Sequence, residues 1–152
     1  MGGRCRVLLI VAVVLAGAGG PSYGGQSKEK SLYDRLGGTP AITAVVDEFV
    51  ARVAADTRIN RYFASVASDP ARLKAFKGKL VDQICEASGG PCKYTGRDMK
   101  TAHAGMGISN ADFDALVEDL VKSLNTFKVA AADQKTLLGV LGPMRAQIVE
   151  KK

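Results

Sequence analysis

Apolar residues recur along this chain at intervals of three and four, and strict alternation with polar residues is rare, so the pattern predicts helices and little sheet. The first helical stretch, Ser31 to Leu36, is short and meets Gly37-Gly38, a stop signal. Thr39-Pro40 restarts a helix, with Thr39 as N-cap and Pro40 at the first helical position. That second helix carries Ile42, Val45, Val46, Phe49, Val50 and Val53 on one face and ends near Asp56. An irregular turn holding Ile59, Tyr62 and Phe63 follows. Asp69-Pro70 is another cap-and-proline start. The helix behind it runs to Ser88, with Leu73, Phe76, Leu80, Ile84 and Ala87 at helical spacing and Lys77 and Lys79 flanking the stripe. Gly89-Gly90 ends it.

Pro91 to Arg97 has little periodicity and is expected to be a loop. Asp98 to Ala104 predicts a short helix, with Met99 and His103 one turn apart on one face. Gly105 and Gly107 close it. Ser109-x-x-Asp112 is a capping-box start for a long helix bearing Phe113, Leu116, Val117, Leu120, Val121 and Leu124. A last helix from about Ala132 carries Leu137, Leu138, Leu141, Met144 and Ile148, and Pro143 within it should kink it. The pattern therefore predicts an all-α domain of four substantial helices, interrupted by the glycine-rich segment Gly89–Ile108.

The N-terminus changes the picture. Arg4 and Arg6 precede an apolar run, Val7 to Ala16, and a small-residue stretch, Gly17 to Gly25. That order is that of a secretory signal peptide. The apolar run is shorter than the ~20 residues a membrane span needs. We expect residues 1–25 to be a signal peptide, cleaved between Ala18 and Gln26, and residues 26–152 to be one domain. The protein is then exported to the periplasm and touches a membrane only where the segment stays uncleaved. The net charge of +6 falls to about +4 without Arg4 and Arg6, and the cations form no dense stripe, so no nucleic-acid partner is expected. Cys85 and Cys92 flank the turn Gly89-Gly90-Pro91. Export permits a disulfide between them, and their Cα separation decides it.

Of chemical groups, the single histidine, His103, stands out. One histidine cannot build a zinc or non-haem iron site of several ligands. No nucleophile elbow, phosphate loop or covalent-haem signature is present. Two readings remain. His103 is the sole protein ligand of a haem iron, with Phe49, Val50, Phe63, Phe76, Leu80 and Ile84 walling the pocket; or those residues are ordinary core and His103 is a surface residue.

A resemblance bears on that choice. Leu32-Tyr33-Asp34-Arg35-Leu36-Gly37-Gly38, Phe49 with Arg52-Val53 and Asp56, Phe63, Lys77-Gly78-Lys79, Gly89-Gly90-Pro91, Tyr94-Thr95-Gly96, Met99-Lys100, His103, Gly107-Ile108 and Leu138-Gly139-Val140-Leu141 carry it. From Ser31 to about Val149 the chain resembles the group I truncated haemoglobins. The resemblance implies a globin-like, truncated two-over-two helical sandwich holding one haem b. It implies that His103 binds the iron, its other ring N–H given to a backbone carbonyl. It also implies that Phe49, Phe63, Phe76, Lys79, Leu80, Tyr94 and Met99 contact the cofactor, Lys79 through a propionate.

On the distal side the chain departs from that family. Where many members have a tyrosine and glutamines, the matching positions are Val50, Phe76 and Leu80, none a hydrogen-bond donor. Gln83, one turn on, is the remaining candidate donor. The function implied is binding of dioxygen, nitric oxide and carbon monoxide, with nitric oxide dioxygenase activity and a reductase partner as further expectations. The alternative is a haem-based sensor or electron-transfer module with Lys79 as sixth ligand.

Overall fold

The structure is a computed structural model in which residues 29–151 are described. The expected signal segment and its cleavage site lie outside them. Helix α1 spans Leu32–Leu36, with Ser31 and Asp34 capping each other reciprocally. Helix α2 spans Gly38–Ala55 and starts earlier than the sequence predicts. The N-cap is Gly37, not Thr39: Gly37 and Gly38 take φ values of 94° and 72°, so the chain turns from one helix straight into the next. Thr39 is drawn into a different contact, its hydroxyl lying 2.9 Å from the Tyr33 hydroxyl.

The turn after α2 is more ordered than its sequence suggests. A 3-10 turn at Asn60–Tyr62 leads into a short helix, α3, Ala64–Ala67. Helix α4 runs Pro70–Ala87, with the Asp69 carboxylate accepting from the N–H groups of Ala71 and Arg72 and Pro70 at the first position. A short α5, Met99–His103, is capped by Asp98, which accepts the Thr101 N–H. Helix α6, Asn110–Thr126, begins at the Ser109–Asp112 capping box. Helix α7 spans Ala131–Leu141; at Pro143, which has no N–H to donate, the chain tightens into a 3-10 turn, Gly142–Met144, and α8 resumes over Arg145–Ile148.

The core lies where α2 packs on α4 and on α6. Ile42, Val45, Val46, Phe49 and Val53 of α2 meet Ile84 and Cys85 of α4, Ala115, Leu120 and Leu124 of α6 and Leu137 of α7. A smaller cluster of Ile108, Phe113 and Ile148, edged by Met99, Met106 and Met144, sits beneath α5. Among the described residues the one bridge of sheet type joins Ser109 to Lys151, and no helix is long and apolar enough to cross a membrane.

Among the carboxyls displaced from their ordinary range, Asp56 and Asp112 shift down and Asp119 shifts up. The Arg58 guanidinium holds Asp56 down to about 2 from an ordinary 3.8. The Ser109 hydroxyl and N–H, with Tyr62 and Arg61, do the same to Asp112. The stability these two contribute is present above about pH 4 and is lost as pH falls through 2. Asp119 runs the other way. It is 4% exposed, and burial, with the Asp56 carboxylate close by, pushes its carboxyl up. Its contribution is present below the ordinary carboxylate pKa and disappears as pH rises through the folded value. One Asp119 oxygen is buried with no donor, a deficit of roughly 1–3 kcal/mol. Asp119→Asn is therefore expected to raise stability at pH 7 by about 1 kcal/mol and to leave pH 3 stability nearly unchanged. Urea midpoints at the two pH values check it, and equal destabilisation at both would refute the assignment.

Candidate functional site

His103 is the last residue of α5 and is half-buried. Its Nδ1 lies 2.7 Å from the Met99 carbonyl oxygen, one turn back. A carbonyl only accepts, so Nδ1 is the donor, and Nε2 is the nitrogen whose lone pair the neutral ring offers to a metal. The helical spacing creates this contact, because residues four apart stack on one face. The imidazole is thus prepared to ligate a metal through one defined nitrogen. Among the described residues no group of three or more His, Cys, Asp or Glu is placed to hold a metal ion by itself. A single axial ligand to a macrocycle-bound iron fits this arrangement; a protein-only metal cage does not.

Between α2, α3 and α4 lies a cavity of about 230 Å³. Phe49, Val50 and Val53 from α2, Phe63 from the turn, and Leu73 and Phe76 from α4 line it. The Phe63 and Phe76 rings meet edge to face at 5.8 Å, a favourable aromatic geometry. Among the lining residues only Lys77 has a polar side chain, and it is ion-paired to Asp47 at 2.8 Å. The structure therefore brings together Phe49, Val50, Phe63 and Phe76, and the wall they form offers no hydroxyl or amide.

The remaining candidates fall elsewhere. Leu80 packs against the main core and does not line this cavity, and Ile84 is core. The Gln83 amide donates to two thioethers, Met99 Sδ at 3.4 Å and Met144 Sδ at 3.3 Å. It ties α4 to α5 and to the Pro143 turn. Sulfur is a weak acceptor, so this contact orients Gln83 at modest energy. Lys79 is exposed and has no ion-pair partner among the described residues. Tyr94 is half-buried and turns back over its own loop, its hydroxyl donating to the Arg97 carbonyl at 2.8 Å. Its N–H donates to the Glu86 carboxylate.

Cys85 and Cys92 are disulfide-bonded, with Cα atoms 5.7 Å apart. The bond fastens the end of α4 to the loop that leads to Tyr94. A loop this short restricts the unfolded chain by about 2.5 kcal/mol in the chain-entropy picture. Reduction or Cys92→Ser is expected to lower unfolding stability by about 2 kcal/mol, measured as a shift in guanidinium midpoint; an unmoved midpoint would mean that the bond does not form in solution. Sequence reasoning missed Met144 and Glu150. Met144 reads as an ordinary apolar position, and nothing around Glu150 distinguishes it from a surface acid.

An all-helical chain, one imidazole with its tautomer fixed by its own helix, and an aromatic-walled cavity between the first two long helices together make up the construction of a globin. The chain belongs to the bacterial-like globin family, whose sequence profile matches residues 31–150. It is similar to a group 1 truncated haemoglobin of Mycolicibacterium paratuberculosis, 32% identical over 123 residues, covering 81% of this chain and 87% of that one. One from a Nostoc species is 35% identical over 123 residues, covering 80% of this chain and 98% of that one. Among solved structures, the ferric truncated haemoglobin of Tetrahymena pyriformis superposes with a TM-score of 0.72 at 30% identity, covering 80% of this chain and all of that one. The architecture is the two-over-two helical sandwich.

Proposed function

We propose that this globin is an exported haem b protein that binds dioxygen, nitric oxide and carbon monoxide on an iron held by His103, and that it removes nitric oxide. Family membership makes it a haem globin for diatomic gases such as dioxygen; the cofactor type, ligating residue, ligand set and turnover are our reading. One observation carries it: the Nδ1 hydrogen of His103 is committed to the Met99 carbonyl, which leaves Nε2 as the available ligand atom. The cofactor, when bound, supplies a ferrous iron that takes a diatomic ligand and exchanges electrons with it.

The protein's residues do the rest. Met99 fixes the tautomer and the orientation of the imidazole. Phe49, Val50, Phe63 and Phe76 keep water and hydrogen-bond donors from the apolar side. Such a wall favours ligands that need no hydrogen bond, carbon monoxide and nitric oxide, over dioxygen, which takes up negative charge. Lys79, exposed and without an ion-pair partner among the described residues, suits a solvated pairing with a propionate better than iron ligation, which needs a neutral amine. Export is supported by the signal-like N-terminus and by the Cys85–Cys92 bond, which belongs in an oxidising compartment. Conversion of nitric oxide and dioxygen to nitrate takes up one electron per turnover, so the reading includes an electron donor.

The test is rapid mixing of the oxygenated protein with nitric oxide. Stoichiometric nitrate and a ferric spectrum support removal of nitric oxide. Simple ligand exchange without nitrate would point instead to a sensor.

A further inference from the structure

The C-terminal end of the chain grips the segment that follows His103. The two oxygens of the Glu150 carboxylate accept the N–H groups of Gly105 and Gly107, at 2.7 and 2.6 Å. These glycines have φ values of 77° and 66°, which lets both amides face the same carboxylate. The N–H groups of Glu150 and Lys151 in turn donate to the Ile108 carbonyl, at 2.9 and 3.1 Å. Just upstream, Ile148 is buried against Ile108 and Phe113, and Met99 packs on the same cluster. Met99 is also the residue whose carbonyl receives the His103 Nδ1 hydrogen. The histidine is therefore held from two directions, by its own helical turn before it and by the C-terminal clasp after it. Helix α5 has only five residues, too few to hold a fixed orientation by its own hydrogen bonds.

We infer that Glu150 is a positioning residue for the iron ligand, its carboxylate clasping the Gly105 and Gly107 amides so that α5 presents His103 in one orientation. The inference rests on the reading of His103 as the ligand. Charge-assisted bonds to two backbone amides are among the stronger contacts available to a surface carboxylate, and they tie a glycine-rich segment to an element far away in sequence. Residues that orient a ligand from outside the coordination sphere commonly shift metal affinity by 10–100-fold.

The experiment compares the haem-loaded wild type with Glu150→Ala and Glu150→Gln. Three quantities are read: amide hydrogen exchange across residues 104–108, the iron–histidine stretching band of the ferrous form, and the rate of haem transfer to an apoglobin acceptor. In Glu150→Ala, exchange across 104–108 should rise while α2 and α6 stay protected. The iron–histidine band should broaden or shift, and haem should leave about tenfold faster. Glu150→Gln, which keeps one acceptor oxygen, should fall between. Faster exchange with an unmoved band and an unmoved haem-loss rate would overturn the inference, because the clasp would then be structural only. Unchanged exchange would overturn it as well. A wild type with no iron–histidine band would overturn the reading of His103 itself, and this inference with it. A normal wild-type band left unmoved by the substitution counts against the clasp alone.

Discussion

His103→Ala should yield a helical protein that does not retain haem. The side chain is half-buried on a five-residue helix and contributes nothing to the main core, which is built from α2, α4, α6 and α7. The secondary structure should therefore survive. What disappears is the lone pair on Nε2, and among the described residues no cluster of other metal-binding side chains can replace it. Substitutions that merely disturb a ligand's orientation cost 10–100-fold in metal affinity, so loss of the ligand itself should cost more than about 100-fold. The measurement is haem stoichiometry and the Soret band of the purified variant, with circular dichroism as the folding control. His103→Gly, with imidazole added, should recover the band, since the diffusible ring restores the ligand atom. A variant that keeps a full, unshifted Soret band would mean that another residue holds the iron.

Val50→Tyr should slow dioxygen release by about ten- to a hundred-fold. The wild-type cavity offers a departing or arriving ligand no hydroxyl or amide. A phenol placed at Val50 adds a donor in the wall of this cavity, whose volume of about 230 Å³ leaves it space. A hydrogen bond to a ligand that takes up negative charge is worth roughly 1.5–3 kcal/mol, which sets that range. Carbon monoxide, nearly neutral when bound, should be far less affected, so the two ligands act as mutual controls. Leu80→Gln is the instructive companion. Leu80 packs into the core and not along this cavity, so an amide there should stabilise dioxygen less and cost more in folding stability. Flash photolysis and stopped-flow dissociation rates decide both. If Val50→Tyr slows carbon monoxide as much as dioxygen, the effect is steric and the account of a donor-free wall fails.

The sequence made legible what local chemistry dictates. Asp69 and Ser109 announce helix starts because a cap bonds to amides two or three residues away. Pro143 announces a break because it lacks an N–H. The start of α2 lies earlier than Thr39-Pro40 because only the left-handed geometry of Gly37-Gly38 decides between two equally good local signals. The turn at 60–67 has too few residues for a period to show. For His103, periodicity alone is compatible with a surface residue or a ligand, and only the residues shared with the truncated haemoglobins favour the ligand. The placement of Gln83 against Met99 and Met144 and the Glu150 clasp were beyond reach: their partners lie between 16 and 61 residues away, and no local pattern records such a pairing.

The disulfide has a consequence for the order of assembly. Cys85 and Cys92 both precede His103 in the chain, and the loop between them is short. Under the export proposed above, a chain that crosses a membrane N-terminus first delivers both sulfurs to the oxidising side before the imidazole-bearing turn, the capping box of α6 or the C-terminal residues emerge. On that route the staple can close at the end of α4 while α5 and His103 are still in transit. Cofactor capture follows on that route, onto a pocket whose α4 end is already fixed, whereas a chain whose thiols stay reduced would take up the cofactor without the staple.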